Sequence, residues 1–162
     1  MPLTPLQLYI LLHIKKAGVE YAKMIMKMTE VDLKNIQEAI DSLMSMGLLE
    51  RDSGSAIKRT RARFKRASEV HKHHTYYRLS RRGILEVRKI DERYLQNYFD
   101  TLLGKEGFKA IKLLAKVRDF DEICSVLQDC EEMRKKLVKC GFITESGRKT
   151  RFFMRFAEFA SL

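Results

Sequence analysis

The residues with the most evident chemistry are cations. Lys58, Arg59, Arg61, Arg63, Lys65 and Arg66 crowd into nine positions of the 162-residue chain. Ammonium and guanidinium groups at this density suit phosphate oxygens, each contact releasing a condensed counterion. In an extended strand alternate side chains take opposite faces. Arg59, Arg61, Arg63 and Lys65 therefore share one face, and Lys58 and Arg66 lie on the other with Thr60, Ala62 and Phe64. A ribbon charged on both faces and laid along a groove reaches phosphates of both strands. The plainer role, an edge strand guarded against aggregation by positive charge, takes about one or two lysines. The concentration of charge supports the phosphate reading: residues 51–82 carry a net +9, against −1 for residues 1–50 and +3 for residues 83–162.

Three other groups of residues invite chemistry and offer less. His71, His73 and His74 form the one concentrated set of soft ligands. In a strand His71 and His73 share a face and His74 points away, so a third ligand would have to come from His13 or Glu69. The expectation is no metal, with His71 and His73 the candidates if one binds. Cys124, Cys130 and Cys140 are an odd set with no Cys-x-x-Cys pair, which encodes neither a disulfide framework nor a cysteine zinc finger. They read as small buried hydrophobes. His13 falls on an apolar helical stripe and reads as a core residue. No Gly-rich phosphate loop, nucleophile elbow or His-Glu-x-x-His occurs, so the expectation is neither an enzyme nor a cofactor binder.

The basic run needs elements to carry it. Thr4 and Pro5 start a helix whose stripe Leu6, Tyr9, Ile10, His13, Ile14 and Ala17 runs to Gly18. Tyr21–Met28 is a short second helix. Asp32 is positioned to cap a third, with Leu33, Ile36, Ile40 and Leu43 inward and Gly47 closing it. Outward on this third helix lie Lys34, Asn35 and Gln37. Asn35 and Gln37 suit adenine edges, and Lys34 suits a phosphate or guanine. Glu30, Asp32, Glu38 and Asp41 give the same helix an acidic outer side, so only its first turn is expected to approach a duplex. After Gly47 the period shortens: Leu48–Arg51 is extended, Ser53-Gly54-Ser55 turns, Ala56–Arg66 is strand-compatible, and Tyr76–Leu79 returns before Ser80 caps a new helix.

Residues 6–83, above all the segments LLHIKKAGVEYAKMI, IQEAIDSLMSMGLLERDSG and HHTYYRLSRRG, resemble winged helix-turn-helix transcriptional regulators broadly of the MarR and ArsR kinds, and more closely an archaeal winged-helix family of unknown function. The resemblance implies a mainly α fold with small β wings. Its hairpin, the wing, spans about Glu50–Leu79, and the third helix reads bases in the major groove of double-stranded DNA.

The remaining chain is expected to extend this plan. Residues 81–104 read as one long linker or dimerisation helix, with Ile84, Val87, Ile90, Tyr94, Tyr98 and Leu102 on one stripe and Leu85, Leu95, Phe99 and Leu103 widening it. Such a face suits a homodimer, or else packing against the chain's own remaining residues. Residues 105–162 read as a second, shorter winged-helix-like domain, because Leu43–Leu49 and Leu137–Ile143 match apolar to apolar around Gly47 and Gly141. Ser146-Gly147 takes the place of Ser53-Gly54, and a small hairpin is expected at Phe142–Met154. The domains are thus 1–80, 81–104 and 105–162.

At 45% hydrophobic residues the chain folds. No stretch approaches eighteen apolar residues, and Met1–Pro5 has no signal-peptide start. These features suggest a cytoplasmic protein without a membrane partner. The functional expectation is a DNA-binding transcriptional regulator. The alternative is a tandem winged-helix adaptor that binds a protein partner, through its second domain, in a transcription or nucleic-acid processing complex.

Overall fold

The computed structural model describes residues 2–53 and 74–162, which fall into two compact units, Met1–Arg88 and Lys89–Leu162. The fold is mainly helical with a small antiparallel sheet. Among the described residues no helix is long and apolar enough to cross a membrane.

In the first unit, Thr4 and Gln7 cap α1 (Pro5–Ala17) reciprocally: Gln7 N donates to Thr4 Oγ1 at 3.1 Å and Thr4 N donates to Gln7 Oε1 at 3.0 Å. Every residue from Leu8 to Ile14 is buried, so α1 is the axis of this unit rather than a surface helix. Gly18, at φ 84°, ends it. The chain then forms a two-residue strand, β1 (Glu20–Tyr21), before α2 (Ala22–Thr29). The sequence pattern assigned Tyr21 to the helix. A strand this short has no periodicity, and only its partner, β3, defines it.

In α3 (Leu33–Ser45), Ile36, Ala39, Ile40 and Leu43 are buried. Asp32 holds the N-cap position without a side-chain cap bond. β2 (Leu49–Arg51) and β3 (Tyr76–Leu79) complete a sheet of order β1-β3-β2, antiparallel throughout, with Glu20 opposite Tyr77 and Leu49 opposite Leu79. Ser80 caps α4 (Arg81–Val87), its Oγ accepting from Gly83 N at 2.9 Å. Gly83 is required by close approach, since a Cβ there would lie 2.1 Å from the Leu48 carbonyl oxygen.

The expected continuous helix over residues 81–104 is broken. α4 stops at Val87, and α5 (Glu92–Leu103) begins after Asp91, whose Oδ1 accepts from Tyr94 N at 2.8 Å. A local cap satisfies donors that a continuing helix would otherwise bond. The break coincides with the boundary between the units, so residues 81–104 are divided rather than forming one element.

In the second unit follow α6 (Gly107–Lys116), a 3-10 segment (Phe120–Val126), α7 (Cys130–Lys139) and α8 (Arg151–Phe159). Its core is aromatic: Phe99, Phe142, Phe153 and Phe156 are fully buried, and the Phe142 ring lies 5.2 Å from Phe153 and 5.4 Å from Phe156. The expected hairpin over Phe142–Met154 is shorter. Ile143 pairs with Lys149, and Arg151 onward is helix because Thr150 Oγ1 caps Phe153 N at 3.1 Å. The cysteine expectation is corrected too. Cys124 and Cys130 form a disulfide with Cα atoms 5.2 Å apart, and all three cysteines are half-buried rather than buried. The 3-10 segment brings the two sulfurs together, which spacing in the sequence could not convey.

The Gly47 and Gly141 turns share one design. Leu48 N donates to Leu43 O at 2.9 Å and Gly47 N to Met44 O at 2.9 Å; Phe142 N donates to Leu137 O at 3.0 Å and Gly141 N to Val138 O at 2.9 Å. The two glycines have φ 76° and 78°. In each unit the returning chain closes on the turn with a hydroxyl residue. Ser80 N donates to Leu48 O at 3.0 Å and Ser80 Oγ to Gly47 O at 2.5 Å, while Thr150 N donates to Phe142 O at 3.0 Å and Thr150 Oγ1 to Gly141 O at 2.7 Å. Leu49 opposite Leu79 corresponds to Ile143 opposite Lys149.

Candidate nucleic-acid interface

Helix α3 presents the three residues expected to meet a base edge, and the fold treats them differently. Lys34 and Asn35 are exposed on its first turn. Gln37 is half-buried, and its Nε2 donates to Asp41 Oδ1 at 3.1 Å and to Tyr77 Oη at 3.2 Å. Reading adenine with an amide takes one donor and one acceptor, so Gln37 must release a bond to do it. As built, it ties α3 to β3. Sequence reasoning missed Tyr77 in this role, because the two residues are 40 positions apart. Glu30, Asp32, Glu38 and Asp41 are exposed, so carboxylates stand at the N-terminal end of α3 as well as beyond its first turn.

The strands on either side of residues 54–73, β2 and β3, pair with each other. Arg78 on β3 reaches across to β2, with Nη1 donating to Asp52 Oδ1 at 3.0 Å and Nη2 to Glu50 Oε2 at 3.5 Å. The hydrogen bonds to Glu50 and then Asp52 hold its guanidinium more firmly protonated than usual. Arg78 therefore fastens β3 to β2 and is not available to a phosphate in this arrangement. Lys58, Arg59, Arg61, Arg63, Lys65 and Arg66, with His71 and His73, lie outside the described residues. His74 is stacked on Tyr21 with ring centroids 4.1 Å apart, one face of its imidazole covered. Among the described residues no group of three His, Cys, Asp or Glu is placed to hold a metal.

Two features were not legible as sites in the sequence. His13, read as a core residue, is fully buried and joined to Glu20, also fully buried, by a 2.7 Å bond from Nε2 to Oε2. Its Nδ1 meets Tyr9 Oη at 2.8 Å, and Glu20 Oε1 accepts from Tyr21 N at 3.1 Å. This polar chain fixes β1 to α1 and thereby the sheet to which Tyr77 belongs. A histidine on an apolar stripe was the one sequence signal for it. The second feature is an open groove of about 360 Å³ where Lys15 and Arg88 stand beside Ile14, Leu79, Ile84 and Val87. At its edge Ile84 is 41% exposed and the neighbouring Leu85 is 52% exposed.

In the second unit Lys135, Lys139 and Arg148 are exposed, whereas Arg134 is engaged by Asp121 and Glu131 and lies over the Phe120 ring at 5.0 Å. Lys136 Nζ donates to Leu103 O at 3.2 Å. Two carboxylates brace the same unit from within. Glu122 is held below the usual carboxylate range by the backbone N–H groups of Asp119 and Arg118, and Glu106 by that of Gln128 and by Lys109.

A family model described as an uncharacterized protein conserved in archaea, DUF2250, matches residues 1–90. No curated protein and no solved structure matches the chain.

Proposed function

The chain belongs to the archaeal family DUF2250, and on that premise we propose that it is a duplex-DNA-binding protein of winged helix-turn-helix design, a transcriptional regulator that acts as a homodimer. The observation that carries this reading is the element order α1-β1-α2-α3-β2-β3-α4, with the sequence's most basic stretch inserted between β2 and β3. A helix backed by three-stranded pairing, followed by a cationic ribbon, is the arrangement that sets one element in the major groove and another along phosphates.

In this reading Arg59, Arg61, Arg63 and Lys65, with Lys58 and Arg66 on the opposite face, supply most of the affinity. Lys34 and Asn35 approach from the first turn of α3. Gln37 holds that helix in register with the ribbon's base and contributes to reading only if its bond to Tyr77 opens. The exposed pair Ile84 and Leu85 supplies the apolar contact between two copies, and an isologous dimer presents two ribbons to pseudo-palindromic DNA. The second unit, which repeats the helix-turn-strand closure of the first, is a shorter winged helix.

The test is duplex binding across a salt series. Replacing Arg59, Arg61 and Arg63 together by Ala lowers the salt slope by about 2–3 units if each meets a phosphate. An unchanged slope removes the ribbon from the interface. The acidic outer side of α3 favours the second reading, a protein-binding adaptor. That reading gains if the wild-type chain shows no salt-dependent binding to any duplex.

A further inference from the structure

The two closures built on Gly47 and Gly141 share their hydrogen bonds but not their charge. Aligned on these glycines, α7 stands where α3 stands in the first unit, Lys135 takes the place of Asp41, and Lys139 that of Ser45. Lys135 and Lys139 are four residues apart and share one face of α7. The pairing partners extend the contrast. Arg148 precedes Lys149, which lies opposite Ile143, and it holds the position that Arg78 holds before Leu79. Arg78 is neutralised by Glu50 and Asp52; in the second unit Thr144 and Ser146 hold the corresponding positions with the exposed Glu145 between them, and Arg148, whose backbone bridges to Asp119, has an exposed side chain. Residues 134–151 hold seven Lys or Arg and one Glu, a net +6, whereas residues 40–53 have a net −2.

Several of these cations already have structural work. Arg134 is taken by Asp121, Lys136 by the end of α5, and Lys149 lies in the field of Glu122. Among the described residues no hydrogen bond or ion pair engages the side chains of Lys135, Lys139 or Arg148. We propose that the outward face of α7 and the short turn beside it, through Lys135, Lys139 and Arg148, form a second contact surface for the phosphates of duplex DNA. The proposal rests on the DNA-binding reading above and locates a contact that reading leaves unassigned.

The division of labour follows from the geometry. In the first unit the helix is acidic and the sequence between β2 and β3 basic. In the second the ribbon is reduced to the turn Thr144–Gly147, closed by a 2.9 Å bond from Gly147 N to Thr144 O, and the helix is basic. With no long insert beside it within the unit, α7 can lie against a backbone, where ammonium groups on one face meet successive phosphates. Glu132, exposed one turn earlier at the place of Glu38, opposes the contact.

The experiment uses the full chain and a 30-base-pair duplex, with affinity read by fluorescence anisotropy between 50 and 200 mM salt. Lys135→Gln, Lys139→Gln and Arg148→Gln together are expected to lower the salt slope by about 2.7 units, so that the wild-type chain loses about 40-fold more affinity than the variant across that range. Glu132→Lys is expected to raise the slope by about one unit. It tests the surface by a gain, which misfolding cannot imitate. Lys105→Gln with Lys116→Gln removes exposed charge from the ends of α6 and is expected to leave the slope within about half a unit of wild type. An unchanged slope in the α7 variant, or an equal fall in the α6 variant, overturns the proposal. If the slope depends on Arg59, Arg61 and Arg63 and not on α7, the DNA-binding reading stands and this one fails. If the wild-type chain binds no duplex, both fail.

Discussion

Replacing Glu20 by Ala takes the acceptor from two donors that water does not reach. His13 Nε2 bonds Glu20 Oε2 at 2.7 Å, Tyr21 N bonds Oε1 at 3.1 Å, and the side chains of His13 and Glu20 are 0% exposed. A buried donor left without a partner costs about 1–3 kcal/mol, so the loss falls at about 2–6 kcal/mol. That range brackets the ~3–5 kcal/mol typical of breaking a buried pair. Glu20→Gln costs less, about half, because its carbonyl oxygen still accepts from His13 while its amide nitrogen faces the Tyr21 N–H. The informative variant removes the three polar side chains together: Tyr9→Phe with His13→Leu and Glu20→Met leaves only the Tyr21 N–H without its acceptor, fills the site with apolar volume and is expected to be more stable than Glu20→Ala alone. Urea unfolding followed by far-ultraviolet circular dichroism measures it. With a slope of ~1.5 kcal/mol/M, a loss of 4 kcal/mol moves the first unit's midpoint down by about 2–3 M. A Glu20→Ala midpoint within about 0.3 M of wild type, or a triple variant as unstable as the sum of its parts, refutes the reasoning.

Gly83→Ala gains about 1 kcal/mol of helix propensity, yet its Cβ would meet Leu48 O at 2.1 Å. The expected net loss is about 2 kcal/mol, and a variant as stable as wild type in the same urea series contradicts it. Burial pushes the Cys140 thiol up to about 11 against the opposing charge of Lys139. At pH 8 iodoacetamide should therefore label it about 100-fold more slowly than an ordinary thiol, as read by mass, and with Cys124 and Cys130 paired only one site labels before reduction. Glu122 and Glu106 are held low in the folded chain. Their contribution is complete above the unfolded carboxylate value of about 4.3 and is lost as pH falls through the lower folded value. The second unit should weaken progressively below about pH 5, less so in Glu122→Gln; equal pH dependence of the two in urea titrations argues against the caps. Light scattering at micromolar concentration should give twice the chain mass of 19.0 kDa, and Ile84→Asp with Leu85→Asp should return it to one; a wild-type monomer sinks the dimer.

The parts of the fold that were legible are those decided within a few residues. Thr4-Pro5 starts a helix because the cap acts on residue 7, and Gly47 and Gly141 stop helices because left-handed backbone costs glycine little. The apolar stripe of α3 named its buried face correctly, since period alone sets which side faces inward. The stripe over residues 81–104 misled for the same reason: periodicity carried across Arg88–Asp91, where a single aspartate cap ends the pattern's physical meaning. In the candidate interface, exposure of Lys34 and Asn35 followed from helix phase, while the engagement of Gln37 by Tyr77 did not.

The sequence by itself determined where charge concentrates, which segments turn and which faces of the helices are apolar, because these depend on residue type and short-range geometry. Only the tertiary structure decided that β1 exists, that Glu20 is the partner His13 requires, that Cys124 meets Cys130, and that Ser80 and Thr150 close two turns in the same way. Each depends on a pair brought together by packing. A buried polar group accepts whichever partner the fold places within about 3 Å, and no local pattern names that partner in advance.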